Sequence, residues 1–220
     1  GRIWTNSSRY KAGMFCLDIN NTLDNNDDDK HKFVGPTFTN QDGVSEIIND
    51  IFFFEFDKNG EMWLGTDRGI FVLREPEKFL SDDNVIFERV KIPRNDGTNL
   101  ADYLLSGIYT TAICIDDANR KWIGTQNNGV FLLSEDGKET IHHFTEENSP
   151  LLSNYIQTIA INSSTGSVFF GTSLGLIEYG GDATEPENSL SESNIEVYPN
   201  PVNPYFDGPV TIKGMSDKCT

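Results

Sequence analysis

The stretch Glu61 to Leu73, EMWLGTDRGIFVL, constrains this chain more than any other feature because it recurs. KWIGTQNNGVFLL (Lys121 to Leu133) and VFFGTSLGLIEY (Val168 to Tyr179) keep its frame of an aromatic, a small apolar residue, Gly-Thr, a turn with Gly and an apolar run. A fainter copy opens the chain, where Trp4-Thr5-Asn6-Ser7 leads to Gly13 through Leu17 after a longer interruption. The anchors Trp4, Trp63, Trp122 and Phe169 fall 59, 59 and 47 residues apart. Repetition on this scale means one supersecondary unit packed against copies of itself. Uneven spacing suits blades joined by variable loops better than the coils of a tight solenoid.

Each unit reads as a run of strands. Ile51 to Asp57, Thr110 to Asp116 and Gln157 to Asn162 are β-rich and end in Asp or Asn. A polar turn follows, and the chain returns through the aromatic-Gly-Thr strand, so each pair reads as a hairpin. Asp57 and Asp116 precede their tryptophans by six residues, and Asn162 precedes Phe169 by seven. After Gly69, Gly129 and Gly175, where glycine admits a positive φ, come third strands at Ile70 to Leu73, Val130 to Leu133 and Leu176 to Tyr179. Outer fourth strands are expected at Val85 to Ile92 and Thr140 to Phe144, whose mixed polarity suits an exposed edge.

The fold class is therefore all-β: a partial β-propeller of about four blades of four antiparallel strands, followed by the truncated start of an Ig-like β-sandwich. Residues 1–181 are expected to form the blades, as the C-terminal part of a larger propeller, with 182–194 a linker and 195–220 the beginning of the sandwich. The flat ring at Trp4, Trp63, Trp122 and Phe169 is expected to wedge into the neighbouring blade. Gly65, Gly124 and Gly171 precede Thr66, Thr125 and Thr172, whose hydroxyls are expected to meet a neighbouring backbone group.

With 34 acidic against 17 basic residues the formal charge is −17. Such a balance argues against electrostatic capture of nucleic acid or an anionic membrane surface. No apolar run approaches the ~20 residues of a membrane-spanning helix. Cys16, Cys114 and Cys219 lack disulfide or metal spacing, and Cys16 and Cys114, inside apolar runs, are expected to be buried free thiols. The usual local signatures of hydrolases and nucleotide enzymes are absent. His142 and His143 point to opposite faces of a strand and cannot share a metal. Asp24 to Asp29 lacks the turn glycine and late glutamate of a calcium loop and reads as a solvated acidic loop. No catalytic residue, metal ligand or cofactor is expected.

From Gly180 the composition changes. Asp182 to Asn194 is rich in Pro, Ser and Glu, and two short apolar runs follow around the turn Tyr198-Pro199-Asn200-Pro201. The segments VSEIINDIFFFEFDKNGEMWLGTDRGIFVL, LLSGIYTTAICIDDANRKWIGTQNNGVFLL and LLSNYIQTIAINSSTGSVFFGTSLGLIEY resemble the two-component regulator propeller repeat of Bacteroidota. The tail NIEVYPNPVNPYFDGPVTIKGM (Asn194 to Met215) resembles the start of the Ig-like C-terminal domain associated with the type IX secretion system. Together they are similar to the PorZ family of surface components of that system.

This resemblance implies a protein without catalytic activity at the outer-membrane surface, working with the surface sortase and presenting anionic lipopolysaccharide. It carries over no ligand residue, because the matched positions are repeat and signature residues. For an anionic glycan, the local basic clusters are Arg89-Val90-Lys91 with Arg94, and Arg120-Lys121. Two other readings stay open: a periplasmic ligand-sensing propeller of a hybrid two-component histidine kinase, and a secreted cargo protein carrying the tail as its sorting domain.

Overall fold

The computed structural model describes residues 1–22, 24–94, 96–98 and 100–185, together with the backbone of strands 196–198 and 211–213. The first sheet joins β1 (Arg2–Ser7), β2 (Gly13–Asp18) and β3 (Lys30–Val34), and a small hairpin of β4 (Thr37–Thr39) and β5 (Ser45–Ile47) leads onward. The second sheet contains β6 (Ile51–Phe56), β7 (Met62–Thr66) and β8 (Gly69–Leu73), followed by a 3-10 turn at Pro76–Lys78. A second connecting hairpin, β9 (Lys91–Pro93) with β10 (Ala101–Tyr103), precedes the third sheet. That sheet has four strands: β11 (Thr110–Ile115), β12 (Lys121–Thr125), β13 (Val130–Leu133) and β14 (Thr140–Phe144). The fourth sheet is β15 (Thr158–Asn162), β16 (Ser167–Thr172) and β17 (Gly175–Gly180), and β18 (Glu196–Tyr198) pairs with β19 (Thr211–Lys213). Every pairing between named strands is antiparallel.

Strand registers place the repeats on one another. Trp63 lies opposite Glu55 and Val72, and Trp122 lies opposite Cys114 and Leu132. Trp4 lies opposite Cys16 on β2, as Trp63 lies opposite Val72 on β8. The first sheet thus holds the second, third and fourth positions of the repeat. The inner strands β6, β11 and β15 then stand side by side, and three apolar cores fill the gaps between successive sheets.

Alternation decides which core each side chain enters. On β8, Phe71 and Leu73 point back to the first sheet while Ile70 and Val72 point forward to the third. On β12, Ile123 faces back and Trp122 forward. Both faces of β7, β8 and β12 are buried, which is why they read as unbroken apolar runs rather than as alternating ones.

The fourth position of the second sheet differs from the expected long strand at Val85 to Ile92. A single bridge holds it, with Val72 and Glu88 exchanging two 2.8 Å backbone bonds. The chain leaves that edge because Phe87 stacks on Phe38 at 3.8 Å between centroids and Arg89 turns inward to Glu46. Residues 91–93 then pair with β10 instead. The start of the expected linker is packed: Ala183 is buried and the Glu185 N–H donates to the Ser163 carbonyl at 2.9 Å. Tyr198 lies in β18, opposite Thr211, whereas Pro199, Asn200, Pro201 and Cys219 fall outside the described residues.

Trp63 and Trp122 are fully buried, and each belongs to the core shared with the following sheet. Trp4 and Phe169 occupy the same position half-buried, Trp4 packing on Phe79 at 4.9 Å. Replacing Trp122 by Ala should cost about 3 to 5 kcal/mol, read from urea unfolding, and Phe169→Ala distinctly less. A loss below about 1 kcal/mol for Trp122→Ala would mean that the indole does not hold the sheets together.

Candidate functional site

The repeated polar residues converge at the turn between the first and second strands of the second, third and fourth sheets. Asp57 Oδ1 accepts the backbone N–H groups of Asn59 and Glu61 at 2.9 and 3.0 Å, which closes the turn. Its Oδ2 accepts the Trp63 indole N–H at 3.2 Å. In the third sheet Asp116 does the same, with the N–H groups of Ala118 and Arg120 on Oδ1 and the Trp122 indole at 3.3 Å on Oδ2. A buried indole N–H needs a partner, and the six-residue interval supplies it from the turn that aims the strand. Asn162 keeps only part of this, accepting the Ser164 N–H at 3.1 Å, and its strand carries Phe169, which has no N–H to satisfy.

The threonines close the next turn. Thr66, Thr125 and Thr172 donate to the carbonyls of Gly69, Gly129 and Gly175 at 2.8, 2.9 and 3.0 Å. The same hydroxyls accept the N–H groups of Arg68, Asn128 and Leu174. Gly129 has φ +70°, and a Cβ there would sit 2.0 Å from the Phe144 carbonyl. The glycine before each threonine serves close approach: a Cβ on Gly124 would meet Ile156 of the next sheet at 2.6 Å, and one on Gly65 would meet Thr110 at 3.0 Å. Gly171 sits instead against Thr158 of its own sheet. Gly69 and Gly175 share the positive φ of Gly129.

Lys121 ties two of these turns together. Its ammonium is fully buried, donates to Asp57 Oδ2 at 3.0 Å, to the Asn119 carbonyl at 2.8 Å and to the Glu135 carbonyl at 2.6 Å, and lies 4.8 Å from the Trp63 ring centre. Three donors meet three acceptors, so the charge is satisfied without water. Around it, the Lys58 N–H donates to Asn119 Oδ1, and Glu135 accepts from the side chains of both Asn59 and Asn119. Burial pushes the Asp57 carboxyl up, but Lys121, the Glu61 N–H and the indole together hold it below the usual carboxylate range.

The clusters singled out for an anionic glycan are already engaged. Arg89 is buried, paired with Glu46 at 2.7 Å and stacked between Phe71 and Tyr103. Lys91 pairs with Asp42 at 2.7 Å, and Arg94 with Asp102 at 2.5 Å. Arg120 bridges Asp116 at 2.7 Å and Asp182 at 2.5 Å. An anion at these positions would have to compete with those carboxylates. Adjacency in sequence made them look like patches; Glu46, Asp42 and Asp182 reach them from more than forty residues away.

Nor does chemistry gather at the other candidates. His143 stacks on Phe131 at 3.9 Å while His142 lies beside Phe144 and Tyr179, on the opposite face. Among the described residues no group of His, Cys, Asp and Glu is arranged to hold a metal ion. Within the acidic loop Asp28 accepts from Asn20 and Thr22. Cys16 is buried, and burial raises the half-buried Cys114 thiol to about 11. No helix among the described residues is long and apolar enough to cross a membrane.

Lys121, Asp57 and Asn119 were missed as a unit by sequence reasoning. The available signal was a lysine standing where the other copies carry Met62 and Val168. Asp57→Ala should cost about 3 to 5 kcal/mol because it strands a buried ammonium, and Lys121→Met, which restores the residue type of Met62, should cost clearly less. Because the folded Asp57 pKa is depressed, its contribution is complete above the ordinary unfolded value near ~4. It is lost as pH falls through the lower folded value. Urea midpoints of the wild type should therefore fall on acidification, and those of Asp57→Asn should fall less; parallel curves would separate Asp57 from acid stability.

No protein-family model matches the chain, and no curated protein matches it. Solved structures do. A protein assigned to the gluconolactonases is 10% identical over 81% of this chain and 58% of its own, with a TM-score of 0.41. The extracellular domain of a protein assigned to the hybrid two-component systems of B. thetaiotaomicron is 23% identical over 90% of this chain and 28% of its own, with a TM-score of 0.46. PorZ of Porphyromonas gingivalis, described as an essential bacterial surface component of the type IX secretion system, is 33% identical with a TM-score of 0.76. The chain is thus similar to PorZ over 98% of its own length, and it spans 29% of that protein.

Proposed function

We propose that the chain is part of a non-catalytic, PorZ-like surface component of the type IX secretion system. The observation that carries this reading is the similarity to PorZ, 33% identical with a TM-score of 0.76 over 98% of the chain. The position is the outer-membrane surface, facing the exterior. On this reading residues 1–181 act as propeller blades and residues 195–220 open an Ig-like domain whose Tyr198-Pro199-Asn200-Pro201 turn is its signature.

The chemistry of the repeats is in keeping with a scaffold. The carboxylates of Asp57 and Asp116 and the hydroxyls of Thr66, Thr125 and Thr172 are each occupied by turn, indole or neighbouring-sheet partners. The finer part of the proposal is that the protein supports cargo processing by the surface sortase and presents anionic lipopolysaccharide to it. The ligand contacts then lie outside the Arg89–Arg94 and Arg120–Lys121 clusters.

An epitope-tagged version in its native host should be cleaved by protease added to intact cells and should co-precipitate with the surface sortase. Purified protein should bind anionic lipopolysaccharide in a salt-sensitive manner, with Lys91→Ala and Arg94→Ala unchanged. Protection from protease on intact cells, with release on opening the outer membrane, would overturn the surface reading in favour of a periplasmic sensor.

A further inference from the structure

Antiparallel order sends the turns of every sheet to two opposite ends. The first and third turns share one end; the second turns and the connections between sheets share the other. Among the described residues at the first end, the turns 57–60, 116–120, 134–139 and 162–166 carry none of the exposed large hydrophobic side chains, and the connection 74–87 carries one, Ile86, 39% exposed. At the other end six such side chains follow one another across the four sheets: Tyr10, Ile47, Phe52, Tyr109, Tyr155 and Leu174, with Tyr10 93%, Ile47 61% and Leu174 70% exposed.

Hydrogen bonds run from sheet to sheet along the segments of this rim that carry Tyr10, Ile47, Phe52, Tyr109 and Tyr155. The Arg9 N–H donates to the Asn49 carbonyl at 2.9 Å, and the N–H groups of Asn49 and Asp50 donate to Asp67 at 3.0 and 3.2 Å. Gly107 donates to the Arg68 carbonyl at 3.1 Å, Gln126 to that of Tyr109 at 3.0 Å, and Gly129 to that of Asn154 at 3.0 Å. The rings of Phe52 and Tyr109, from adjacent sheets, lie 6.2 Å apart.

Charge marks the Tyr10 end of this rim. Among the described residues, every Lys and Arg side chain has a carboxylate within 4.0 Å except Arg9, Lys11, Lys30 and Lys32. Lys30 and Lys32 belong to the outer strand β3. Arg9 and Lys11 flank Tyr10 on the rim, and all three are exposed. In a chain of net charge −17, two uncommitted cations beside an apolar strip are the places where a carboxylate gains an unshared partner.

We propose that this rim docks a protein segment in which carboxylates stand beside apolar side chains. The apolar groups lie along the strip from Tyr10 to Leu174, and the carboxylates meet Arg9 and Lys11. A glycan is disfavoured because aliphatic Ile47 and Leu174 stand among the rings, and the two charged groups of the turn between β7 and β8 are taken: Asp67 by Asn49 and Asp50, Arg68 by Asp67 and the Ile47 carbonyl. An anionic bilayer is disfavoured because clusters of about four to eight cations are needed to hold one. The inference stands apart from the secretion reading and survives if that reading fails.

The test uses a phage-displayed library of random 12-residue peptides panned on the full chain held by a terminal tag. Enriched peptides should combine Asp or Glu with Leu, Ile, Phe or Tyr. Binding of the best synthetic peptide should weaken at least tenfold in the Arg9→Glu/Lys11→Glu double variant and with added salt, and by less than twofold in Lys138→Glu at the opposite end. The charge variants change exposed turn residues and should melt as wild type does; Phe52→Ser supplies a second variant for the apolar strip. Absence of enrichment, enrichment of basic peptides, or equal sensitivity to Lys138→Glu would overturn the proposal. So would tighter binding of dextran sulfate that is lost in the same double variant, which would assign the rim to polyanionic glycans.

Discussion

Each buried tryptophan of the repeat is held from two sides, and the stacking of the sheets depends on it. The indole N–H reaches back to the aspartate that closes the preceding turn, while the ring lies in the core of the following sheet. An unpaired indole N–H in that core would forfeit about 1 to 3 kcal/mol, so the turn carboxylate is what allows so large a ring to be buried completely. Turn, strand and inter-sheet contact are thereby coupled through one side chain. Gly137 shows how close the fit is, since a Cβ there would lie 2.7 Å from the Trp63 ring.

Between the second and third sheets the same device acquires a charge. Lys121 occupies a position that is apolar in the neighbouring copies, and it can be dry only because Asp57, already fixed by its turn, and two carbonyls face it. A pair of this kind contributes little over an apolar alternative, but it penalises misalignment of the two sheets because any shift leaves a buried charge unpaired. Elsewhere the excess of carboxylates absorbs most of the cations. That leaves Arg9, Lys11, Lys30 and Lys32 as the cations without a carboxylate partner among the described residues, and of these Arg9 and Lys11 stand on the rim.

Much of the strand pattern was legible. Copies of the aromatic-Gly-Thr frame mark β7, β12 and β16, and the six-residue interval from Asp57 and Asp116 marks the hairpins. The second sheet's fourth strand was not legible as it stands, because Val85 to Ile92 has the alternation of an edge strand while Phe87 and Arg89 are claimed by Phe38 and Glu46, 49 and 43 residues away in sequence. The connecting hairpins β4–β5 and β9–β10 escaped notice too; at three residues per strand they are too short for periodicity to register. Most partners of the basic clusters were hidden for a related reason, since Glu46, Asp42 and Asp182 lie more than forty residues from Arg89, Lys91 and Arg120.

By itself the sequence determined the repeating unit, the all-β class and the place of each aromatic anchor, because those follow from local alternation, turn chemistry and recurrence. Which face of a strand is buried in which core, whether a cation is free or paired, and which turns assemble into one rim were decided only by the tertiary structure. These depend on contacts between residues forty to seventy positions apart, such as Arg89 with Glu46 and Lys121 with Asp57. No local pattern encodes a partner at that distance.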